Sequence, residues 1–296
     1  MGHMRAQDKS PMPYVTRFAP SPTGPLHFGS LTTALGGFLR ARSQSGTWLI
    51  RIEDIDPPRE VAGAAQAQIE TLKAFGLISQ GPIVYQSHRK ATHHALIDRL
   101  KCAGKAYPCG CTNKDLQGAK RYPGTCRLGL PAGKQERSIR LKTYPQDIEF
   151  YDLLQGQQRQ CPHRDVGDFV IRRGDGLVAY QLAVVADDHA QAITEVVRGH
   201  DLMSSVGRQW LVYEAIGAPP PAYLHLPVVV DANGRKLSKS DGADPIMRHG
   251  TAECFRLALR ALGHEPPSGC LSLSAQWTWA LGHWSVEAIP PGPVSL

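Results

Sequence analysis

The segment Arg17-Phe-Ala-Pro-Ser-Pro-Thr-Gly-Pro-Leu-His-Phe-Gly-Ser30 constrains the fold more than any other part of this chain. Just before it, Tyr14-Val-Thr-Arg-Phe18 is a short β-favouring run and reads as a strand. Three prolines and a glycine then crowd the stretch from Ala19 to Pro25. Prolines lack a backbone donor, so neither a helix nor an inner strand can continue there and a loop must follow. From His27 onward Leu31, Leu35, Phe38 and Leu39 recur at helical spacing, with Gly29 and Ser30 at the helix start. A loop that leaves a first strand and enters a helix N-terminus is where doubly wound folds hold nucleotide phosphates. A glycine there lets backbone approach a ligand, and His27 can donate to a phosphate oxygen.

A second block lies far downstream. Lys236-Leu-Ser-Lys-Ser240 sits between Gly234 and Gly242 and carries two lysines and two serines. Alone it would read as a solvated basic loop, as His27 alone would read as a cap. In this order, with strand-like and helix-like segments between them, the two blocks describe a site that grips a triphosphate from two sides.

The rest of the chain alternates in the α/β manner. Thr47-Trp-Leu-Ile-Arg-Ile52 reads as a strand, Val61 to Phe75 as a helix, and Ser87 as the cap of a helix running to about Ala103. Leu177-Val-Ala-Tyr-Gln-Leu-Ala-Val-Val185 is a near-continuous apolar run, expected to be a buried parallel strand. Asp201 to Ile216 reads as a helix, Leu224 to Val230 as a strand leading to the lysine loop, and Thr251 to Gly263 as the final helix. The tail beyond Pro266 carries little signal. The irregular middle, about Lys105 to Gly176, reads as an insertion. The expectation is an α/β fold with a Rossmann-like parallel sheet in two halves, 14–104 and 177–240. An inserted subdomain at 105–176 and a short C-terminal helical segment at 241–296 complete it.

With 296 residues and a 42% hydrophobic fraction, the chain can bury a full α/β domain and a smaller insert. Its net charge of +7, from 33 basic and 26 acidic residues, suits a polyanionic partner, though no single basic stripe stands out. No apolar run is long enough to span a bilayer and no basic-then-apolar leader opens the chain, so a cytoplasmic protein is expected, and separately a monomer.

Of seven cysteines, Cys102, Cys161, Cys254 and Cys270 lie in unrelated contexts. Cys109-Gly-Cys111 and Cys126 cluster, with Tyr122 four residues before the last. Two thiolates one residue apart and a third after a glycine-containing loop can converge on one tetrahedral zinc. The fourth ligand is open: Tyr122 as a phenolate, or Cys102, Cys161 or His163. The alternative is a group of free buried thiols. His93-His94 are neighbours on an expected helix, point in different directions and are assigned no metal.

Together these blocks resemble the two signature motifs of class I aminoacyl-tRNA synthetases of the glutamyl type, over roughly Tyr14 to Ser240. Arg51-Ile-Glu-Asp-Ile-Asp-Pro-Pro-Arg59 and Glu195-Val-Val-Arg-Gly-His-Asp201 fit the same family. The resemblance is strongest to the short glutamyl-queuosine tRNA(Asp) synthetase family, which has a Cys-x-Cys…Tyr-x-x-x-Cys zinc site matched by Cys109, Cys111, Tyr122 and Cys126. That family lacks the helical anticodon-binding domain of the longer enzymes, and this chain ends too soon after Ser240 to hold one. In the first signature the second histidine of the general pattern is Ser30 here, which removes one phosphate donor.

The resemblance implies that ATP activates L-glutamate and that the glutamyl group is then esterified to queuosine at the wobble position of tRNA(Asp). In that chemistry the substrate carboxylate attacks the α-phosphorus, so no enzyme nucleophile is needed and positioning and charge stabilisation dominate. Magnesium on the triphosphate and one structural zinc are the implied metals. Carried over residue by residue, Arg17 would pair with a glutamate carboxylate, with Phe18, Ala19, Pro20 and Ser21 as pocket wall. Glu53 would bind the ammonium, Tyr180 would hydrogen-bond the substrate and Arg198 would take a second carboxylate contact. A zwitterionic dicarboxylate needs two cationic partners and one anionic one. His27, Gly29, Ser30 and Lys239 would contact ATP, with Lys236 in support. Asp54 and Asp56 are read as structural, helping to cap the next helix. The rival functions are charging of the terminal ribose of tRNA(Glu) and non-catalytic tRNA binding.

Overall fold

The computed structural model describes residues 13–231 and 250–295, so Lys236 and Lys239 lie outside the described residues. Strand β1 (Val15–Phe18) pairs in parallel with β2 (Thr47–Ile52), and the connection between them carries α1 (Phe28–Ser43). After α2 (Ala64–Ala74), the two-residue β3 (Val84–Tyr85) adds to the far side of β2, again in parallel. Helix α3 (Lys90–Cys102) closes this first half.

The middle of the chain holds β4 (Ala106–Cys109), α4 (Asn113–Leu116), β5 (Ser138–Leu141), β6 (Ile148–Asp152), β7 (Gly156–Gln160), α5 (Pro162–Asp165) and β8 (Phe169–Arg172). Strands β4, β5 and β8 form an antiparallel sheet of their own. The β6–β7 hairpin leaves that group and joins the second half. Helix α6 (Tyr180–Ala190), β9 (Glu195–Gly199), α7 (Val206–Ile216) and β10 (Ala222–Leu226) follow, and β10 lies between β9 and β6, parallel to both. Thr194, just before β9, donates its amide to Val15 O at 2.9 Å and accepts from Val15 N through its hydroxyl. The two parallel groups therefore meet at β1 and β9. This is the α/β architecture expected, with a parallel sheet at its centre.

The core follows from the apolar faces. Helix α1 buries Leu31, Ala34, Leu35 and Leu39 against Trp48, Ile50 and Ile52 of β2. Burying each side chain of this size contributes about 1.5–3 kcal/mol. Gly36 allows the helix to lie tight on the sheet, since a Cβ there would stand 2.6 Å from Leu226 Cδ1. A second apolar cluster joins α6, α7, β6 and the insert, through Leu182, Val184, Val212, Tyr223 and Phe150.

The run at 177–185 departs from expectation. It holds only a bridge from Val178 to Arg172 before α6 begins at Tyr180, so Tyr180 stands on a helix start and not on a buried strand. Residues Gln181 to Asp188 are all buried. A helix surrounded by protein shows no polar stripe, and its sequence then looks the same as that of a buried strand. The cap assignments shift as well. Helix α2 starts at Gly63 without a side-chain cap, and Ser87 lies in a 3-10 turn ahead of α3. Asp54 accepts from Ser87 N at 2.8 Å and Ser87 Oγ at 2.5 Å, while Asp56 pairs with Arg59 and Arg173. Both carboxylates are structural, but they tie loops together and do not cap α2.

The Leu224–Val230 run divides into β10 and a separate β11 (Val229–Val230). Helix α8 (Thr251–Ala261) is not the last, because α9 (Leu273–His283) follows and β12 (Val294–Ser295) pairs in parallel with β11. Trp277 of α9 packs on Phe255 and Phe38, with ring centroids 4.7 and 5.2 Å apart, and donates Nε1–H to Phe75 O. The tail is thus folded onto the first half. Among the described residues, no helix is long and apolar enough to cross a membrane.

Candidate active site

A cleft of about 650 Å3 opens where β1, β2 and β9 end and where α1 begins. Arg17, Phe18, Ala19, Pro20, Ser21, Glu53, Tyr180 and Arg198 all line it, as do His27, Gly29 and Ser30. The structure therefore gathers every described candidate for the glutamate and ATP sites at one place.

The proline-rich loop is held from behind. Gln68 of α2, fully buried, donates to the carbonyls of Ser21 and Gly24 at 3.1 and 2.7 Å. Gly24 adopts a φ of +131°, a conformation open to glycine and strained for other residues. Pro20 O accepts from Glu53 N at 2.9 Å, which sets Glu53 beside the loop. His27 is the N-cap of α1, with Nδ1 accepting from Ser30 N at 3.2 Å and Nε2 lying 3.0 Å from Ser30 Oγ. Accepting at Nδ1 leaves the proton on Nε2, so a neutral imidazole sits at the positive end of the helix dipole.

One wall of the cleft is an ion network. Asp188 accepts from Arg17 Nε at 2.8 Å, from Arg17 Nη2 at 3.2 Å and from Arg51 Nη1 at 2.6 Å. Arg51 Nη2 donates to Glu53 at 3.2 Å. All four side chains are buried, so isolated charges would be costly and mutual pairing is required. Burial opposes ionisation of Asp188, but Arg17 and Arg51 outweigh it and hold its pKa below the usual carboxylate range. Glu53 has fewer partners, and burial raises its pKa despite Arg51 and Arg17. A carboxylate with so little compensation gains from the approach of a further cation. Two of the three guanidinium nitrogens of Arg17 are already engaged by Asp188, so Arg17 is less free for substrate than its place in the motif implies.

Arg198 lies on β9, 4% exposed. Its Nε donates to His225 Nε2 at 3.0 Å and its Nη1 donates to Gln209 Oε1 at 2.9 Å, with the Tyr180 hydroxyl 3.5 Å away. Its Nη2 is buried and has no hydrogen-bond partner among the described residues. A cleft-lining guanidinium that keeps a donor unmatched is suited to a carboxylate oxygen.

Asp188, Gln68, His225 and Gln209 are not singled out by any sequence motif. Each sits in a helix or strand that otherwise reads apolar or featureless. The paired Asp187-Asp188 at the end of an apolar run and the lone His225 between Leu224 and Leu226 were the available signals. Asp187 binds Gln86, Arg89 and His93, which accounts for that buried histidine structurally.

Away from the cleft, the Sγ atoms of Cys109, Cys111 and Cys126 lie within 4.8 Å of one another. Tyr122 Oη stands 3.4 Å from Cys109 Sγ and 3.8 Å from Cys111 Sγ and accepts from Cys126 N at 2.9 Å. Three soft sulfur donors and a phenol oxygen facing one point fit a tetrahedral zinc. Cys102, which is exposed, Cys161 and His163, which is held by Thr143 and Arg121, are not in the group of donor atoms within 4.8 Å of one another. Arg140 lies over the Tyr122 ring at 3.7 Å and donates to Cys109 Sγ at 3.3 Å. Burial pushes the Cys109 thiol up, but bonds from Tyr122, the Cys111 backbone and Arg140 bring it down to about 7. A thiolate there is accessible near neutral pH, as metal binding requires.

Residues 14–253 match the family model for the catalytic domain of class I tRNA synthetases (E and Q). The glutamyl-Q tRNA(Asp) synthetase of Chromobacterium violaceum is 49% identical over 290 residues, covering 96% of this chain and 97% of its own. The protein of the same name from Pseudomonas aeruginosa PAO1 is 46% identical, covering 94% and 95%. Among solved structures, a glutamate tRNA ligase from Elizabethkingia meningosepticum in complex with its amino acid superposes with a TM-score of 0.80 at 24% identity. The glutamate-tRNA synthetase of Elizabethkingia anophelis does so at 0.79 and 25%. The alignments cover 95% and 96% of this chain but 66% and 68% of those proteins. The chain belongs to the class I tRNA synthetases of the glutamyl and glutaminyl type, as a synthetase-like ligase on the branch of the glutamyl-Q tRNA(Asp) synthetases.

Proposed function

We propose that this protein activates L-glutamate with ATP and transfers it to the queuosine base in the anticodon of tRNA(Asp). The observation that carries the amino-acid half is Arg198, which lines one cleft with Glu53, Tyr180 and the phosphate loop and keeps a buried Nη2 without a partner among the described residues. The tRNA half is supported by relatives 44–49% identical over nearly their whole length that bear that function in their names.

Glutamate with one carboxylate against Arg198, the other toward Arg17 and its ammonium at Glu53 has each charge matched. The α-carboxylate oxygen attacks the α-phosphorus of ATP; that P–O bond forms as the bond to pyrophosphate breaks. A hydroxyl of the queuosine cyclopentenediol then attacks the carbonyl carbon of the glutamyl-adenylate, AMP leaves with the electron pair of the broken C–O bond, and the hydroxyl proton is released to solvent. His27, with the backbone of Gly29 and Ser30, receives the phosphates, and Lys236 and Lys239, outside the described residues, are assigned to the same phosphates from their motif. Magnesium accompanies the triphosphate. Cys109, Cys111, Tyr122 and Cys126 would hold one zinc, which when bound cross-links the insert. Residues 14–104 and 177–240 form the catalytic halves and 105–176 the insert in this reading.

The test has two stages. Glutamate should drive ATP–pyrophosphate exchange without any tRNA, since activation needs only the cleft. Radiolabelled glutamate should then pass to tRNA(Asp) that contains queuosine and not to the same tRNA with plain guanine. Exchange driven equally well by glutamine or aspartate would defeat the amino-acid assignment, and equal labelling of both tRNAs would defeat the base assignment.

A further inference from the structure

Three residues on adjacent strands stand in a row behind the cleft. The register pairs Tyr223 with Asp152 between β10 and β6, and His225 with Arg198 between β10 and β9. His225 and Asp152 are both fully buried, and neither contacts the open cleft. Asp152 Oδ2 accepts from His225 Nδ1 at 2.6 Å. Its Oδ1 also accepts from the amides of Leu154 and Gln155 at 3.1 and 2.9 Å, so the hairpin turn fixes the carboxylate in place. With a proton on Nδ1, His225 Nε2 has only a lone pair to offer, and Arg198 Nε donates to it at 3.0 Å. Gln209 holds Nη1, the remaining nitrogen, Nη2, is buried without a hydrogen-bond partner among the described residues, and the Arg198 side chain itself lines the cleft.

We propose that Asp152 and His225 are positioning residues that aim Arg198 at the substrate carboxylate. The inference rests on Arg198 receiving glutamate. Asp152 selects the tautomer, the tautomer makes His225 an acceptor, and that acceptor fixes the Nε edge of Arg198. The opposite tautomer would place N–H against N–H and turn the guanidinium away. Burial, with Arg198 alongside, lowers the pKa of His225 and keeps the imidazole neutral, as the arrangement needs. A guanidinium held on two sides loses little freedom when the third side is engaged, which favours a fixed, planar contact. Asp152 belongs to the hairpin of the middle segment, so this part of the chain reaches the amino-acid site through the sheet.

Two substitutions separate the roles. His225→Asn keeps a donor for Asp152 but brings no acceptor to Arg198, while His225→Gln places its carbonyl near the position of Nε2. Glutamate-dependent ATP–pyrophosphate exchange should show KM for glutamate rising on the order of tenfold in His225→Asn, the size of a lost bond to a charged group. KM for ATP should stay within about twofold, and His225→Gln should recover most of the loss. Equal damage by both substitutions, or an unchanged glutamate KM with only a lower melting temperature, would make the pair purely structural. A second measurement does not depend on any variant's stability or activity. In the parent protein with 15N-labelled histidine, the His225 ring should be the neutral Nδ1–H tautomer, and an Nε2–H or doubly protonated ring at neutral pH overturns the proposal. A parent that activates no glutamate takes the inference down with the reading it rests on. An active parent that fails either measurement overturns the inference alone.

Discussion

Arg198 differs from Arg17 in how much of it is spent. Arg17 meets Asp188 with two nitrogens, whereas Arg198 keeps one buried donor unmatched among the described residues. A carboxylate that reached that donor would offset the cost of leaving it unmatched, so Arg198 should carry more of the substrate affinity. Arg198→Ala should weaken glutamate binding by about 2–5 kcal/mol, the usual penalty for truncating one partner of a buried charge pair. Equilibrium dialysis with labelled glutamate checks this, and an affinity equal to the parent's would remove Arg198 from the site. That Arg17, Glu53 and Arg198 would share one cleft was legible in the sequence because long motifs surround them. Asp188 and His225 were not, since a polar side chain inside an apolar run shows its purpose only when its partner, 171 residues away for Asp188 and Arg17, is brought beside it.

At the scale of elements, the strand–loop–helix around the proline-rich segment was readable, because prolines and a glycine force a loop at one place. The segment at 177–185 was not. A run buried on all sides has no periodicity to reveal, and α6 took the place of the expected strand. The tail was illegible for another reason: α9 is held by tertiary contacts of Trp277 with Phe38, Phe75 and Phe255, and those partners are distant in sequence. The cysteine cluster left its fourth ligand open on spacing alone, and Tyr122 stands in contact with Cys109 and Cys111, which supports it as the candidate. Elemental analysis should find about one zinc per chain, since three thiolates and a phenolate make one closed site. Cys126→Ser should lose the metal and lower the unfolding temperature while leaving glutamate affinity unchanged. A metal-free parent of full stability would return these residues to buried thiols.

At the scale of the molecule, the charge network ties stability to pH. Asp152, Asp168, Asp187 and Asp188 are buried, and their charged and hydrogen-bonding partners lower their pKa values below 3.8 despite burial. A carboxylate more acidic in the folded chain contributes stability that is full above its unfolded pKa and is lost as pH falls through the folded value. His225, lowered from 6.5, acts in the same direction, because the unfolded chain takes up the proton first. Glu53, raised from 4.5, opposes them. Four carboxylates and a histidine against one carboxylate predict that the urea midpoint falls slightly below about pH 6.5 and steeply below about pH 4. A midpoint that rises on acidification would contradict the assigned pairings.

The central claim is that glutamate ends on an anticodon base and not on the terminal ribose. Labelled glutamate, ATP and the protein can be offered in parallel to queuosine-containing tRNA(Asp), unmodified tRNA(Asp) and tRNA(Glu), each product then being digested to nucleosides. Label should appear on the queuosine nucleoside of tRNA(Asp) and in neither of the other two reactions. Label on the 3′-terminal adenosine of tRNA(Glu), with none on queuosine, would contradict the account and leave an ordinary glutamyl-tRNA synthetase in its place.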